Sequence, residues 1–507
     1  MRKAGGILVV LVAILATAGC STLFPFGPPP LKSDVSITIL HTDEMRAHGL
    51  ASGSVVGFSR IAGYAGALKK EGRNVLLLDA GDTFHGQPWS DIDQGAPVAE
   101  LMKLADYDAM TPGRRDYDYG VDRLLELSKS VGFPVLAANV KRRGKAIFPS
   151  YIVKDVEGVR VAIFGLDAPE SSDEAELPAL EGLVFGDPVA AARRLIDSDL
   201  KGKYDILVCL ADIGGADTAA ATSVSVAEAC PEIDLIIDGY GRTGSSGGPP
   251  HNPTKVAIVQ ADTMGVALGR VDLVVGIDRK VRSLIARSVR TADAPTMPSD
   301  PEVRAAAEAM VAAEAPSLDR VIGQTAIDLV GQREIVRSGE SNLGRLVANG
   351  MLATSGADIA MINGGGISDG IPAGPITKGE VYAVLPRGDY LCATPLTGAE
   401  FKAVLENGLS ELPASGGRFP HIAGATFIFD AGRPAGDRVT SIMVQGKPYD
   451  PAGTYSFCTV GSEMDGGDGY ATLAGRKYKE YGLDSDSLMA YLTKLGTVTE
   501  DNIPYRK

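Results

Sequence analysis

The sequence predicts an α/β protein built from two successive units. Short, apolar, β-rich runs alternate with helix-patterned segments between residues 35 and 290, the pattern of strands covered on both faces. A proline-rich break at residues 294–301 is followed by an Ala- and Glu-rich stretch at 302–315. The alternation resumes near Val321. At 507 residues the chain is long enough for two or three domains.

The N-terminus is read first and set aside from the fold. Arg2 and Lys3 precede an apolar stretch over residues 6–18, shorter than a membrane-spanning helix needs. It ends in Thr17-Ala18-Gly19-Cys20, small residues before a cysteine, which resembles a bacterial lipobox. Residues 1–19 are therefore read as a lipoprotein signal peptide and Cys20 as the lipidated residue. That lipid would be a membrane anchor outside the cytoplasm, in the cell envelope. An ordinary cleaved signal peptide with an incidental cysteine is the alternative. Residues 20–34, with Pro25 and Pro28-Pro29-Pro30, form a stiff tether.

The first unit spans residues 35–295. Strands are expected at 36–40, 74–78, 159–165, 205–210 and 235–238. Helices are expected at 57–70 and 188–196, the second opened by Asp187 as cap and Pro188 at its first position. Residues 296–320 carry a linker helix. The second unit spans 321–507, with a helix at 341–355 opened by a Ser341 cap and a strand at 357–363.

Composition excludes some functions. Net charge is -14 with a pI near 5.0, which argues against broad nucleic-acid binding because that needs a basic footprint. Beyond Cys20, the cysteines are Cys209, Cys230, Cys392 and Cys458, with no zinc-like spacing. Buried free thiols and a single bridge both remain open.

Several loop motifs follow predicted strands. They are His41-Thr42-Asp43-Glu44-Met45-Arg46, Leu78-Asp79-Ala80-Gly81-Asp82, Thr111-Pro112-Gly113-Arg114-Arg115-Asp116-Tyr117-Asp118, Leu210-Ala211-Asp212-Ile213-Gly214 and Gly239-Tyr240-Gly241-Arg242. In the second unit stand Gly331-Gln332-Arg333-Glu334-Ile335-Val336-Arg337, Asn363-Gly364-Gly365-Gly366-Ile367-Ser368, Pro386-Arg387-Gly388-Asp389 and Gly466-Gly467-Asp468-Gly469-Tyr470. Their order resembles the 5′-nucleotidase family of binuclear metallophosphoesterases, of the periplasmic UDP-sugar hydrolase type. The resemblance covers nearly all of the chain after the tether. It implies an N-terminal metallophosphoesterase-like αββα sandwich and a C-terminal 5′-nucleotidase-type α/β domain.

What it implies about the site is less ordinary. The family holds two cations roughly 3.5–4 Å apart with Asp, His and Asn ligands. Aligned with those ligands are Glu44, Arg46, Asp82, Arg114, Asp212, Tyr240 and Arg242, and only Asp82 keeps the family residue. Arg115 replaces the catalytic His, while Asp118 keeps the acid that orients it. A protonated guanidinium offers no lone pair to a metal. A slip of the first loop would bring His48-Gly49 to the position of Arg46.

Arg46, Arg114, Arg115 and Arg242 carry as much positive charge as two divalent cations. Glu44, Asp82, Asp116, Asp118 and Asp212 would otherwise crowd like charges in one cleft. Guanidinium–carboxylate pairs in place of the metals are therefore expected, either as a structural network or with a surplus arginine binding a small anion. In the second unit Arg333, Arg337, Asn363, Gly365, Arg387 and Asp468 are the ligand-binding candidates. The stacking aromatics of the family are replaced by Arg387 and Ser462, and its third arginine by Ser368. Lone histidines such as His85 and His421 read as structural, and Trp89 as loop packing.

The leading expectation is an inactive homologue without catalytic residues, cofactor or metal, acting as a binding or scaffold protein. Its partners would be the membrane, through the lipid, and a small anionic ligand or a protein. The alternative is a residual metal-dependent 5′-nucleotidase of nucleotide catabolism. It would hold one divalent cation, magnesium, manganese or calcium, at Glu44, Asp82 and Asp212. A nutrient-binding lipoprotein using the interdomain cleft is the third.

Overall fold

The computed structural model describes residues 30–51, 55–91, 93–167, 180–213, 222–240, 255–291 and 297–503. Cys20, Arg242 and His251 lie outside them, so the lipidation site and one of the predicted arginines are not placed.

In the first unit the apolar strands stack as two five-stranded sheets. One runs, in spatial order, Val281–Arg290, Ala267–Val275, Val35–Thr42, Asn74–Asp79, Ala109–Met110. The other runs Ala257–Val259, Leu235–Asp238, Ile206–Asp212, Val159–Asp167, Tyr151–Val156. Ile37, Ile39, Leu78, Ile163, Val208 and Ile237 fill the space between them. The outer face of the first sheet packs on Phe58, Ile61, Leu101 and Leu124, and that of the second on Ala192, Leu195 and Val226. These residues belong to flanking helices. The result is the expected αββα sandwich. Burial on both faces explains why the strands read as continuous apolar runs rather than alternating ones.

Predicted boundaries hold closely where local chemistry sets them. The helix Gly57–Lys70 is as expected. Asp187 caps the helix Pro188–Arg194 by accepting from the Ala190 N–H at 2.8 Å, after which the chain continues as a π-helical turn, Leu195–Asp199. Asp300 caps the helix Pro301–Leu318 through the Glu302 and Val303 N–H groups.

The second unit has a five-stranded sheet in the order Pro420–Ala423, Ile359–Asn363, Thr454–Val460, Tyr390–Thr397, Lys479–Leu483. The helices Asn342–Ser355 and Asp484–Leu495 bring Leu346, Leu488 and Leu492 into one core. The helix Gly398–Leu409 brings Phe401 and Leu405 into the other. Ser341 caps the first of these helices, its Oγ accepting from the Gly344 N–H at 2.9 Å. Cys209, Cys230, Cys392 and Cys458 are buried free thiols. No helix among the described residues is long and apolar enough to cross a membrane.

Candidate functional site at the strand ends

Parallel pairing brings the loop motifs together. Thr42 lies beside Asp79 in one sheet, and Asp167 beside Asp212 in the other, all at the C-terminal ends of their strands. Loops leaving such ends are free to converge. Glu44, Arg46 and Asp82 there have φ values of 45°, 43° and 56°, a left-handed backbone that L-residues seldom adopt and that clusters at functional sites. The strain is held by backbone bonds across the two loops, Glu44 N–H to Gly81 O and Arg46 N–H to Asp82 O, both at 2.9 Å.

Asp116 ties the next loop in. Its carboxylate accepts the backbone N–H groups of Asp82, Thr83, Phe84 and Gly113 at 2.8–2.9 Å. Burial and then the nearby Asp82 charge still push it up to about 7. Gly113 is required by close approach: a Cβ there would meet Asp212 Oδ2 at 2.2 Å and Asp82 Oδ1 at 2.4 Å. Asp82 and Asp212 thus close over one glycine.

The arginines fill the same space. The Arg115 backbone N–H donates to Asp82 Oδ1 at 2.7 Å, and its guanidinium reaches Asp82 Oδ2 at 3.6 Å. The same guanidinium makes a fork on Glu480, at 2.9 and 3.3 Å, and lies 3.6 Å over the Tyr390 ring. Arg114 pairs with Asp118 and approaches Glu480 at 3.7 Å. The Tyr390 hydroxyl donates to Asp118 and lies 2.7 Å from His85 Nδ1. Burial pushes the Asp118 carboxyl up, but Arg114, His85 and Arg115 outweigh it and hold it below the usual range. Glu480 and Tyr390 belong to the second unit, so this network joins the two.

Arg46 differs from its neighbours. Its guanidinium stands 3.5 Å from Glu44, and among the described residues its buried Nε has no hydrogen-bond partner. Burial first, and then Asp82 and Asp43 against Arg46, push Glu44 up to about 7. Tyr240 lies beside Arg46 and Arg115 around a cavity. The loop slip is not seen. His48 Nδ1 lies 3.2 and 3.1 Å from the Met45 and Arg46 carbonyls, and its Nε2 lies 3.1 Å from Gln87 Nε2.

The second-unit candidates also gather. Asn363 donates to Asp468 at 2.6 Å and accepts the Gly366 N–H at 2.8 Å. Arg387 donates to the Gly365 carbonyl at 3.1 Å. Arg337 is held below its ordinary pKa by burial and by the charges of Arg333 and Arg387, with Asp468 opposing. Arg333, Arg387 and Asp468 are exposed. His421 is a core residue, its Nε2 2.9 Å from the Val336 carbonyl, and burial lowers it to about 4. Trp89 is buried in the first unit's core.

Residues 321–475 match the family model of the 5′-nucleotidase C-terminal domain. UshA of Escherichia coli is 27% identical over 90% of this chain and 91% of its own length. Residues 321–475 are thus a 5′-nucleotidase C-terminal domain, and the chain as a whole is similar to the 5′-nucleotidases. The trifunctional nucleotide phosphoesterase YfkN of Bacillus subtilis is 29% identical over 95% of this chain, which spans 35% of that longer protein. The crystal structure of a 5′-nucleotidase precursor from Thermus thermophilus superimposes with a TM-score of 0.57 at 29% identity, covering 92% of this chain and 97% of that one. The family that the chain resembles is one of nucleotide phosphoesterases.

The two-metal centre implied by that family does not fit the side chains described. Arg46 and Arg114, where the resemblance puts ligands, have no lone pair to offer. Among the described residues, no three or more His, Cys, Asp or Glu side chains are grouped so as to hold a metal ion. Of the single-cation alternative, Asp82 faces Arg115 and Glu44 faces Arg46, while Asp212 meets Asp82 over Gly113. Sequence reasoning missed Glu480, Tyr390 and the bridging role of His85. Glu480 carries no motif, and a lone His such as His85 reads as structural.

Proposed function

We propose that this chain is a 5′-nucleotidase homologue that has exchanged its reaction centre for an ion-pair network and works as an exported binding protein, anchored by lipid at Cys20. The observation that carries the reading is Arg115. At the position of the family's catalytic His, its guanidinium lies between Asp82 and Glu480, 3.6 and 2.9 Å away. A protonated guanidinium neither takes a proton near neutral pH nor ligates a cation.

The test is release of phosphate from nucleotides with added manganese, magnesium or calcium, alongside elemental analysis of the purified protein. Background rates and no stoichiometric metal are expected. Turnover that is abolished by Asp82→Ala would overturn the reading in favour of a residual nucleotidase.

A further inference from the structure

Between the two units lies a cavity of about 180 Å³, smaller than the 300–1,000 Å³ of sites for drug-sized ligands. Its charged lining comprises Glu44, Arg46, Arg115, Asp389, Asp465 and Glu480. Carboxylates therefore outnumber guanidiniums, four to two. The two cations are not equivalent. Arg115 is engaged by the Glu480 fork. Arg46 has Glu44 as its nearest acid, at 3.5 Å, with the charges of Asp82 and Asp389 adding, and among the described residues its buried Nε lacks an acceptor. On the second unit's part of the lining, the Asp389 carboxylate accepts a long bond from Ser462 Oγ, at 3.3 Å. Thr263 and Gln260 add neutral polar groups to the wall.

This lining discriminates by charge. A phosphate or nucleotide, bearing two or more negative charges, meets an excess of carboxylates in a confined space. A simple amine meets the Arg46 guanidinium. A molecule carrying both charges satisfies both ends. We propose that the cavity binds a small zwitterion of the amino-acid class, its carboxylate on Arg46 and its ammonium on Asp389. The proposal rests on the reading of this chain as a binding protein and specifies what is bound. Arg46 and Asp389 sit in different units, so the ligand would also bridge them.

Calorimetric titration of the full mature chain, with no metal added, tests this. The probes are glycine, alanine and serine, with acetate, ethylamine, inorganic phosphate and adenosine monophosphate as comparisons. Binding of at least one amino acid is expected, with acetate and ethylamine at least about tenfold weaker, a difference of about 1.4 kcal/mol. Arg46→Met and Asp389→Asn should each weaken amino-acid binding at least about tenfold, with circular dichroism and melting confirming that each variant is folded. The proposal is overturned if no amino acid binds, if phosphate or acetate binds as tightly, or if affinity survives in a folded Arg46→Met or Asp389→Asn. Failure here leaves the inactive reading standing; that one falls only to metal-dependent turnover.

Discussion

Arg114 and Arg115 in the first unit are 4% and 6% exposed, whereas Arg333 and Arg387 in the second stand in solvent. The resemblance to the 5′-nucleotidases puts both clusters where functional residues are expected. In the first, guanidiniums face carboxylates that are themselves buried: Asp82, Asp118 and Glu480. In the second, burial and then the charges of Arg333 and Arg387 depress Arg337, with Asp468 opposing. Burial decides what an arginine does. A buried guanidinium requires a fixed partner and so becomes architecture, while an exposed one keeps its donors available to a solute.

The largest effect should come from taking the shared partner away from the buried pair. Glu480→Ala leaves Arg114 and Arg115 facing each other without their common carboxylate, and breaking a buried pair in this way costs about 3–5 kcal/mol. A fall of that size in urea unfolding is the expected result. The double change Arg115→Leu with Glu480→Leu should recover most of it, because an apolar pair of similar volume is close to neutral in such sites. If Glu480→Ala leaves the unfolding curve unmoved, the contrast between the clusters loses its energetic basis.

A second effect follows from the acids behind the cavity. Burial, and next the Asp389 charge, push Glu463 up from 4.5 to about 8, with Arg387 opposing and Asp468 adding. Its folded form then binds a proton more readily than its unfolded form. Stability contributed by that proton is full below about 4.5 and is lost as pH rises to about 8. Melting temperature should therefore fall across that window, and Glu463→Gln should flatten the fall. Asp116, pushed up to about 7, adds to the same slope. Asp118, held low, acts only in acid and with the opposite sign. A melting curve that rises between pH 5 and 8, taken as about the ends of the window, would contradict the assignment.

Local signals made much of this readable from the chain alone. Apolar runs marked the strands from Asn74–Asp79 to Leu235–Asp238, and Asp187 with Pro188 marked a helix start. The loop motifs placed Glu44, Arg46, Asp82, Arg114, Asp118 and Asp212 at neighbouring strand ends, because parallel pairing sends each loop to the same side. What stayed hidden was the other half of the network. Arg115 and Glu480 are 365 residues apart, and Lys479-Glu480-Tyr481 reads as an ordinary polar strand. Nothing local distinguishes a Glu that neutralises a buried fork from one on the surface. The same limit applies to His85, whose meaning depends on where Tyr390 arrives.

The smallest effect belongs to the exposed cluster and sharpens the comparison from its other side. Arg333 begins the short helix Arg333–Val336, and no ion pair ties it down among the described residues. Its loss relieves repulsion on Arg337, which sits below its ordinary pKa partly because of Arg333. Arg333→Ala should therefore change unfolding stability by no more than about 0.5 kcal/mol. The sign should be neutral to stabilising, and added salt should erase the difference, since screening acts on exposed charges and far less on buried ones. Glu480→Ala, measured in the same salt series, should keep most of its cost. A stability loss for Arg333→Ala as large as that for Glu480→Ala would mean that both clusters are architecture, and that exposure does not separate them.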